Sequence, residues 1–215
     1  MMINSKVAVI IVNWKKYDIT SSCIESILNS TNSNFKIILV DNESDNKKVK
    51  NFKYRNEIKI IQNKKNEGFS KANNIGIDYA LKNNYDYTIL INNDTIVEKN
   101  LIEVLLKTAQ AKNFSVVQPL ILKYNGKEIW NAGGRINYFF GNFITRKKVG
   151  NYLNSSHELT EWLSGCCCLF KTKIFKEIGK LDESFFAYYE DVDFSLRLKK
   201  HGYKIGFTSK THLYH

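Results

Sequence analysis

Proline is nearly missing: Pro119 is the single one among 215 residues, and together with 11 glycines it forms no Pro/Gly linker that would separate independent domains. Cysteine is scarce and poorly spaced for cross-linking. Cys166, Cys167 and Cys168 are consecutive and Cys23 stands far off, so neither a disulfide framework nor a paired C-x-x-C metal site can be read, and reduced, buried thiols are expected. Long apolar runs are absent as well. Nothing reaches the roughly 18–20 residues of a membrane span, and the run 7–12 is too short for a signal h-region and leads into Asn13-Trp14-Lys15-Lys16 instead of a small-residue cleavage site. The expectation is a cytoplasmic chain, soluble or attached to a membrane only at its periphery. Acidic residues are in deficit, 21 Asp+Glu against 32 Lys+Arg, and the resulting +11 calls for an anionic partner: nucleic acid, an acidic membrane surface or a phosphorylated small molecule.

What is present belongs to an ordinary folded globule: 43% hydrophobic, 13% aromatic and 25% charged residues in 25.0 kDa, ample for one domain with a real core. Residues 7–12, 35–40, 58–61 and 87–91 are short β-branched or aromatic runs, nearly continuous in hydrophobicity as strands buried on both faces are. Helical spacing lies between them: Ile19, Cys23, Ile27 and Leu28 behind Asp18, then Ala72, Ile75, Tyr79 and Ala80 behind Ser70. This alternation predicts a parallel α/β sheet with crossover helices on its faces. The stretch 46–55 reads as a helix or a solvated connection. A helix over 101–111 with Leu101, Val104, Leu105 and Thr108 on one face, and a strand over 116–122, complete the regular part. Pro119 within that strand favours an edge or a bulge. Residues 124–152, rich in Gly, Asn and aromatics, predict hairpins and a mobile loop suited to a variable acceptor site. Regularity returns over 159–170, in a helix around 173–178 stopped by Gly179, and in a helix over 191–201 stopped by Gly202.

The first strand is followed by no glycine, which excludes the dinucleotide G-x-G-x-x-G and a P-loop there. Residues 47–71 hold nine Lys/Arg and two Glu but few aromatics and no helix-turn-helix, zinc-finger or RNP pattern. A solvated face is the better reading, and nucleic acid is not expected as a partner.

Four polar clusters fall at strand ends or helix starts, where open α/β sheets bind ligands. Val40-Asp41-Asn42-Glu43-Ser44-Asp45 offers a carboxylate to a ribose or base, and would serve equally as an Asx turn. In the run from Asn66 to Gly76, Gly68 permits a tight turn, Ser70 can cap, and Lys71 with free helix amides can face a phosphate or sugar. Asn73 and Asn74 there are either surface residues or functional ones, and as poor helix formers they favour function. The run Asn92-Asn93-Asp94-Thr95 ends the fourth strand, with Asp94 either a ligand to a hard divalent cation or a helix cap. In Glu190-Asp191-Val192-Asp193 three carboxylates crowd a helix start. Asp193 has Arg197 at i+4 as an ordinary helix partner, whereas Glu190 and Asp191 have none and one can be a general base.

Taken in order, Ile10-Ile11-Val12-Asn13-Trp14, the cluster at 40–45, Asn-x-Gly-Phe at 66–69, Asn-Asn-Asp at 92–94, Trp162-Leu163-Ser164-Gly165, Leu181-Asp182-Glu183-x-Phe185-Phe186 and Glu-Asp-x-Asp at 190–193 resemble family 2 inverting glycosyltransferases. The likeness covers nearly the whole chain and is to the branch that includes rhamnosyl- and galactofuranosyltransferase-like enzymes. It implies the GT-A fold: an α/β domain with a mostly parallel central sheet flanked by helices on both faces, residues 1–122 binding the nucleotide-sugar and 123–215 the acceptor and the catalytic groups. It further implies Asp41 at the nucleoside, Asn13 beside the base pocket, and Gly68, Lys71, Asn73 and Asn93 around the rest of a nucleotide-diphosphate sugar donor. Asp94 takes the last position of the DxD-type motif, holding Mg²⁺ or Mn²⁺ with His215, and His212 competes for that place. Asp191 is implied as the catalytic base, with Trp162, Gly165 and Glu190 at a carbohydrate or lipid-linked acceptor. Asparagines stand at 92 and 93 where many relatives carry aspartates, which weakens the metal motif. Relatives usually continue past the equivalent of His215, so a core of a longer enzyme, in peripheral contact with an anionic membrane that presents its acceptor, is the expectation. The rival readings are a noncatalytic nucleotide-sugar or glycan-binding module of the same fold, and a nucleotidyltransferase, which usually brings a Gly-rich phosphate loop that is missing here.

Overall fold

The computed structural model describes residues 5–31, 34–43, 52, 55–137, 139, 142–145 and 157–215. Apolar continuity at the start of the chain produces a four-stranded parallel block, β1 (Val7–Asn13), β2 (Phe35–Asn42), β3 (Ile58–Asn63) and β4 (Tyr87–Asn92). Pairing runs from Val7↔Phe35 to Asn13↔Asp41 on one side of β1, and from Val7↔Tyr87 to Val12↔Asn92 on the other. This register brings the polar residues that end β1, β2 and β4 together at one edge of the sheet.

Alternation sorts each strand onto two cores. Val9, Ile11, Ile37, Leu39 and Ile89 pack against α1 (Tyr17–Leu28) and α3 (Leu101–Ala111), while Ala8, Ile10, Ile38, Val40 and Leu90 pack on the other face against α2 (Phe69–Lys82) and the later helices α4 (Ile174–Glu177) and α5 (Glu190–Lys200). Helices therefore cover both faces. Among the described residues none is long and apolar enough to cross a membrane.

Beyond β4 the sheet becomes mixed. The short β5 (Ile96–Val97) leads to α3 and then to β6 (Val116–Leu122), against which β7 (Ile129–Asn131) folds back. β8 (Gly134–Asn137) and β9 (Asn142–Thr145) form a separate hairpin, and β10 (His157–Leu159), β11 (Cys167–Lys171) and β12 (Ile205–Tyr214) complete the strands. The order is β10-β12-β6-β11-β4-β1-β2-β3, with β11 antiparallel between β4 and β6, so late residues are woven into the sheet built by early ones. β12, the longest strand, has no place in the sequence reading: Ile205 to Tyr214 mixes Gly, Thr, Ser, Lys and His into its apolar positions, so no apolar run marks it.

Several expectations change in detail. The buried stripe of α1 is Tyr17, Thr20, Cys23, Ile24 and Ile27, and Ile19 is 43% exposed, because Thr20 turns inward to bond Asn13. The 159–170 segment is regular only at its ends, the last residue of β10 and the start of β11, with irregular backbone over 160–166. Pro119 lies in an interior strand, at the point where the β6–β12 register shifts between Thr208 and His212, so the missing amide is absorbed by a bulge. In α2 the N-cap is Gly68, and Ser70 is buried. Asn73 and Asn74 are also buried: the Asn73 amide donates to Phe69 O (3.0 Å), while Asn74 donates to Leu181 O (2.8 Å) and accepts from Leu181 N (3.0 Å). The 46–51 and 53–54 parts of the connection at 46–55, residues Ser44 and Asp45, and the 146–152 end of the acceptor loop lie outside the described residues.

The four cysteines are free and buried. Cys167 and Cys168 alternate onto opposite cores as strand residues must, and burial pushes the Cys23 thiol up to about 11 and the other three upward too. They are packing groups, not nucleophiles.

Candidate active site

Where the parallel strands end, a cleft of about 620 Å³ opens, bounded by Trp14, Lys16, Asn42, Gly68, the 92–94 segment, Trp130, the 164–166 segment, the 186–188 loop, Glu190, Asp191 and His215. Another concavity of about 500 Å³, at the opposite strand ends around Asp86 and Lys173, has no comparable convergence of acids, amides and imidazole.

The floor is a buried chain of hydrogen bonds. Asn93 Nδ2 donates to Thr20 Oγ1 (2.9 Å), Thr20 Oγ1 to Asn13 Oδ1 (2.7 Å), and Asn13 Nδ2 to Asp41 Oδ1 (2.6 Å). Four elements, β1, β2, α1 and the end of β4, are thus locked by direct side-chain hydrogen bonds. Asn13 and Asp41 lie behind the cleft wall, buried to 1% and 0% exposure, whereas Asn93 lines the cleft. Asn42 builds the neighbouring wall: its Nδ2 donates to Asn66 Oδ1 and Gly68 O (both 3.1 Å), and its Oδ1 accepts from Asn63 Nδ2 (2.8 Å). Lys71 pairs with Glu67 at 2.8 Å and, like Asn73, is not a lining residue.

At the far end, strand order brings Asp94 and His215 together across the sequence, Asp94 Oδ1 to His215 Nε2 at 3.4 Å. Trp130 packs its ring edge-on against His215 at 4.7 Å, and Tyr124 donates to Asp94 O at 2.8 Å. The His215 imidazole beside it holds the Asp94 carboxyl below its ordinary value. His212 is engaged elsewhere, with Glu98 (3.3 Å) and the Tyr214 hydroxyl (2.9 Å). No group of three or more His, Cys, Asp or Glu able to hold a metal exists among the described residues. Asn92, however, also lines the cleft, and its buried Oδ1 has no hydrogen-bond partner among the described residues. A carboxylate, a carboxamide oxygen and an imidazole on one wall fit a hard or borderline divalent cation that keeps water or phosphate oxygens as its other ligands.

The third wall carries the acids. Tyr188 and Tyr189 both adopt left-handed backbone, at φ 69° and 70°, immediately before α5, a costly conformation for aromatic residues. That turn directs Glu190 and Asp191 into the cleft at a helix N-terminus. Asp191 Oδ2 accepts from Gly165 N and Oδ1 from Val192 N, each at 2.8 Å. Burial raises the Asp191 carboxyl above its ordinary value, with those amides opposing the rise. Glu190 is 5% exposed, its Oε2 has no partner among the described residues, and burial pushes it up to about 7, helped by the Asp191 charge. Asp193 forms the expected pair with Arg197 (2.7 Å), which also donates to Ile178 O and Lys180 O. Trp162 lines a second, smaller concavity of about 320 Å³ with Tyr188, Tyr189, Val192 and again Asp191.

Glu190 sets a stability prediction. Its folded value lies above 4.5, so the folded state holds the proton more tightly, and stability contributed by the neutral form is lost as pH rises from about 4.5 through about 7. The difference amounts to about 3 kcal/mol. Glu190→Gln should therefore raise the melting temperature at pH 8 and leave it unchanged near pH 4.5, and equal shifts at both pH values would contradict the assignment.

Thr20, Trp130 and Gln118 were not singled out from sequence. Only Trp130 carried a signal, an aromatic beside Asn-Ala-Gly-Gly in an otherwise irregular stretch.

This architecture, a mostly parallel sheet with helices on both faces and an acid-lined cleft at the strand ends, is the GT-A fold of nucleotide-diphospho-sugar transferases. GalNAc-T7, solved with UDP, GalNAc and Mn²⁺, superposes with a TM-score of 0.78 at 17% identity over 98% of this chain and 44% of that one. Residues 1–349 of S. aureus TarS superpose with a TM-score of 0.69 at 16% identity, over 96% of this chain and 60% of that one. The profile of Glycosyl transferase family 2 matches residues 8–179, and the chain belongs to that family. The low-salt glycan biosynthesis hexosyltransferase Agl10 of Haloferax volcanii is 27% identical over 93% of this chain, which spans 63% of Agl10. The rhamnosyltransferase WbbL of Escherichia coli K12 is 24% identical over 97% of this chain and 83% of WbbL.

Proposed function

We propose that the protein transfers a hexosyl or deoxyhexosyl group from a nucleotide-diphosphate sugar to a glycan or lipid-linked acceptor, with inversion at the anomeric carbon. The observation that carries this reading is the place of Asp191, whose carboxylate borders both the main cleft and the aromatic concavity of Trp162, Tyr188 and Tyr189. A donor in the larger space and an acceptor ring stacked in the smaller one would meet beside this group, where the acceptor oxygen could reach the anomeric carbon from the face opposite the diphosphate, as inversion requires.

Asp191 then takes the acceptor hydroxyl proton while the acceptor oxygen bonds to the anomeric carbon and the diphosphate oxygen leaves with the electron pair of the broken bond. Its elevated affinity for protons suits it to that task better than an ordinary aspartate. Trp14, Lys16, Asn42 and Gly68 would face the nucleoside end of the donor, supported from behind by Asn13 and Asp41, and Asn93 would face its diphosphate. Asp94 and His215, with Asn92 adjoining, would hold Mg²⁺ or Mn²⁺. Bound there, the cation supplies Lewis acidity that offsets charge on the leaving diphosphate. Gly165 and Glu190 adjoin the acceptor side.

A thermal-shift panel of UDP-, GDP-, CDP- and dTDP-sugars, with and without Mn²⁺, tests the reading. One donor class should stabilise the protein in a concentration-dependent way, more strongly with the cation, and Asp94→Ala should remove the cation's contribution. Identical shifts for both proteins with and without Mn²⁺ would refute the metal role, and no shift with any donor would refute the donor reading.

A further inference from the structure

Gln118 is wholly buried in β6 and does not line the cleft, yet its amide bonds segments that build two of the cleft's walls. Its Oε1 accepts from Ser164 N (2.7 Å) and its Nε2 donates to Asn131 Oδ1 (2.5 Å). Asn131 Oδ1 also accepts from Gly133 N (2.8 Å), so this oxygen is an acceptor, and the face of Gln118 toward it must be the NH₂ group.

On one side the bond reaches the segment that holds the base. Four consecutive amides there donate to side-chain oxygens: Leu163 N to Ser195 Oγ (3.1 Å), Ser164 N to Gln118, Gly165 N to Asp191 Oδ2 (2.8 Å) and Cys166 N to Ser164 Oγ (3.2 Å). Ser195 Oγ in turn donates to Asp191 O (2.6 Å). The amides of this irregular segment all depend on side chains, and a backbone bond joins it to β4 at its last residue, Asn92 N to Cys166 O (2.8 Å), so the side-chain bonds set the position of the residues before it. On the other side, Asn131 adjoins Trp130, whose ring packs on His215 of the Asp94 pair.

We infer that Gln118 is a positioning residue that sets the Asp191 carboxylate relative to the Trp130–His215 wall, an inference that rests on the transfer reading above. Only a group that both donates and accepts can bridge Ser164 N–H and Asn131 Oδ1. Without it the 163–166 segment shifts, and the Gly165 amide moves off the Asp191 carboxylate. Among the described residues, the titratable groups around that carboxylate are Glu190 on its own helix, the Cys168 thiol of β11, and Tyr188 and Tyr189, which line the smaller concavity with it.

The test compares the unmodified protein with Gln118→Met and Gln118→Glu by transfer kinetics, donor calorimetry and NMR titration of the Asp191 carboxyl carbon. Gln118→Met should keep donor affinity within about threefold and lose about 10- to 100-fold in kcat, the scale of a small misplacement of reacting groups. Its Asp191 carboxyl should titrate higher, having lost an amide donor. Gln118→Glu should turn over once Asp191 is ionised and for as long as its own buried carboxyl, raised by desolvation, keeps the proton that reproduces the donor and acceptor pair, and should then lose activity as pH rises further, a limb absent from the unmodified protein. Unchanged kcat and unchanged Asp191 titration in a folded Gln118→Met variant would overturn the inference. Should that variant fail to fold, a Gln118→Glu pH profile superposable on that of the unmodified protein would overturn it instead. Absence of transfer by the unmodified protein with every donor refutes the transfer reading alone, and the Asp191 titration in Gln118→Met then still decides the positioning role.

Discussion

Asp191→Asn should lower kcat for the proposed sugar transfer by about 10²- to 10⁴-fold, the range associated with removing a positioned general base, while donor affinity measured by calorimetry should stay within a few-fold. The carboxylate accepts one amide on each oxygen, Gly165 N on Oδ2 and Val192 N on Oδ1. The carboxamide can satisfy only one of these with its oxygen and turns an NH₂ toward the other, so part of the loss arises from a displaced amide, that of Gly165 or of Val192. The pH dependence separates the two effects. In the unmodified protein kcat should rise with pH through a value above the ordinary aspartate range, because burial raises Asp191 and only its ionised form accepts the proton. The residual activity of Asp191→Asn should lack that limb, whereas a variant that merely displaced Gly165 would retain it. Turnover equal to that of the unmodified protein would remove Asp191 from the mechanism.

Much of this site was visible in the sequence because of where its residues fall. The apolar runs of β1, β2 and β4 are continuous, so their ends are unambiguous, and Asn13, Asp41 and Asn92 to Asp94 occur where those runs stop. Parallel pairing then places such ends side by side without further information. The bounds of α3 and the i,i+4 pair Asp193–Arg197 were legible for the same reason, being local. What escaped depends on register between distant elements. Nothing about Thr20 in a helical run says that it will turn toward Asn13, and nothing in Val-Val-Gln-Pro says that Gln118 will face Ser164. β12 went unseen because half of its residues are polar, and with it the route that carries His215 to Asp94. That pair came from the family resemblance, not from spacing. Asn74 shows the converse. Sequence leaves its side chain between surface and ligand, and it serves instead to clamp Leu181 to α2.

Gly68→Ala combines a structural and a functional loss at one position. Gly68 sits at φ 81° and ψ 176°, a region that essentially only glycine occupies. Its missing side chain is also needed, since a Cβ would lie 2.7 Å from Phe186 O and 2.8 Å from the Phe186 ring. The ring could swing aside, but the carbonyl belongs to the backbone and is held by Phe69 N at 2.6 Å. Relief therefore requires the 186–188 loop to move away from α2, taking with it the cleft wall that leads into Glu190 and Asp191. Strain and displacement together should cost about 2–4 kcal/mol, or about 5–15 °C in melting temperature for a chain of this size. Donor affinity should fall on the order of tenfold, because Gly68 and the 186–188 loop both border the donor space. Gly126→Ala is the control: φ is also positive there, at 68°, but the nearest atom to an added Cβ is Tyr214 Cε1 at 3.5 Å. That change should cost about 1 kcal/mol through backbone strain and leave donor affinity untouched. If the two alanine variants lost the same stability and both kept full donor affinity, the close approach of Phe186 to Gly68 would have no part in shaping the cleft.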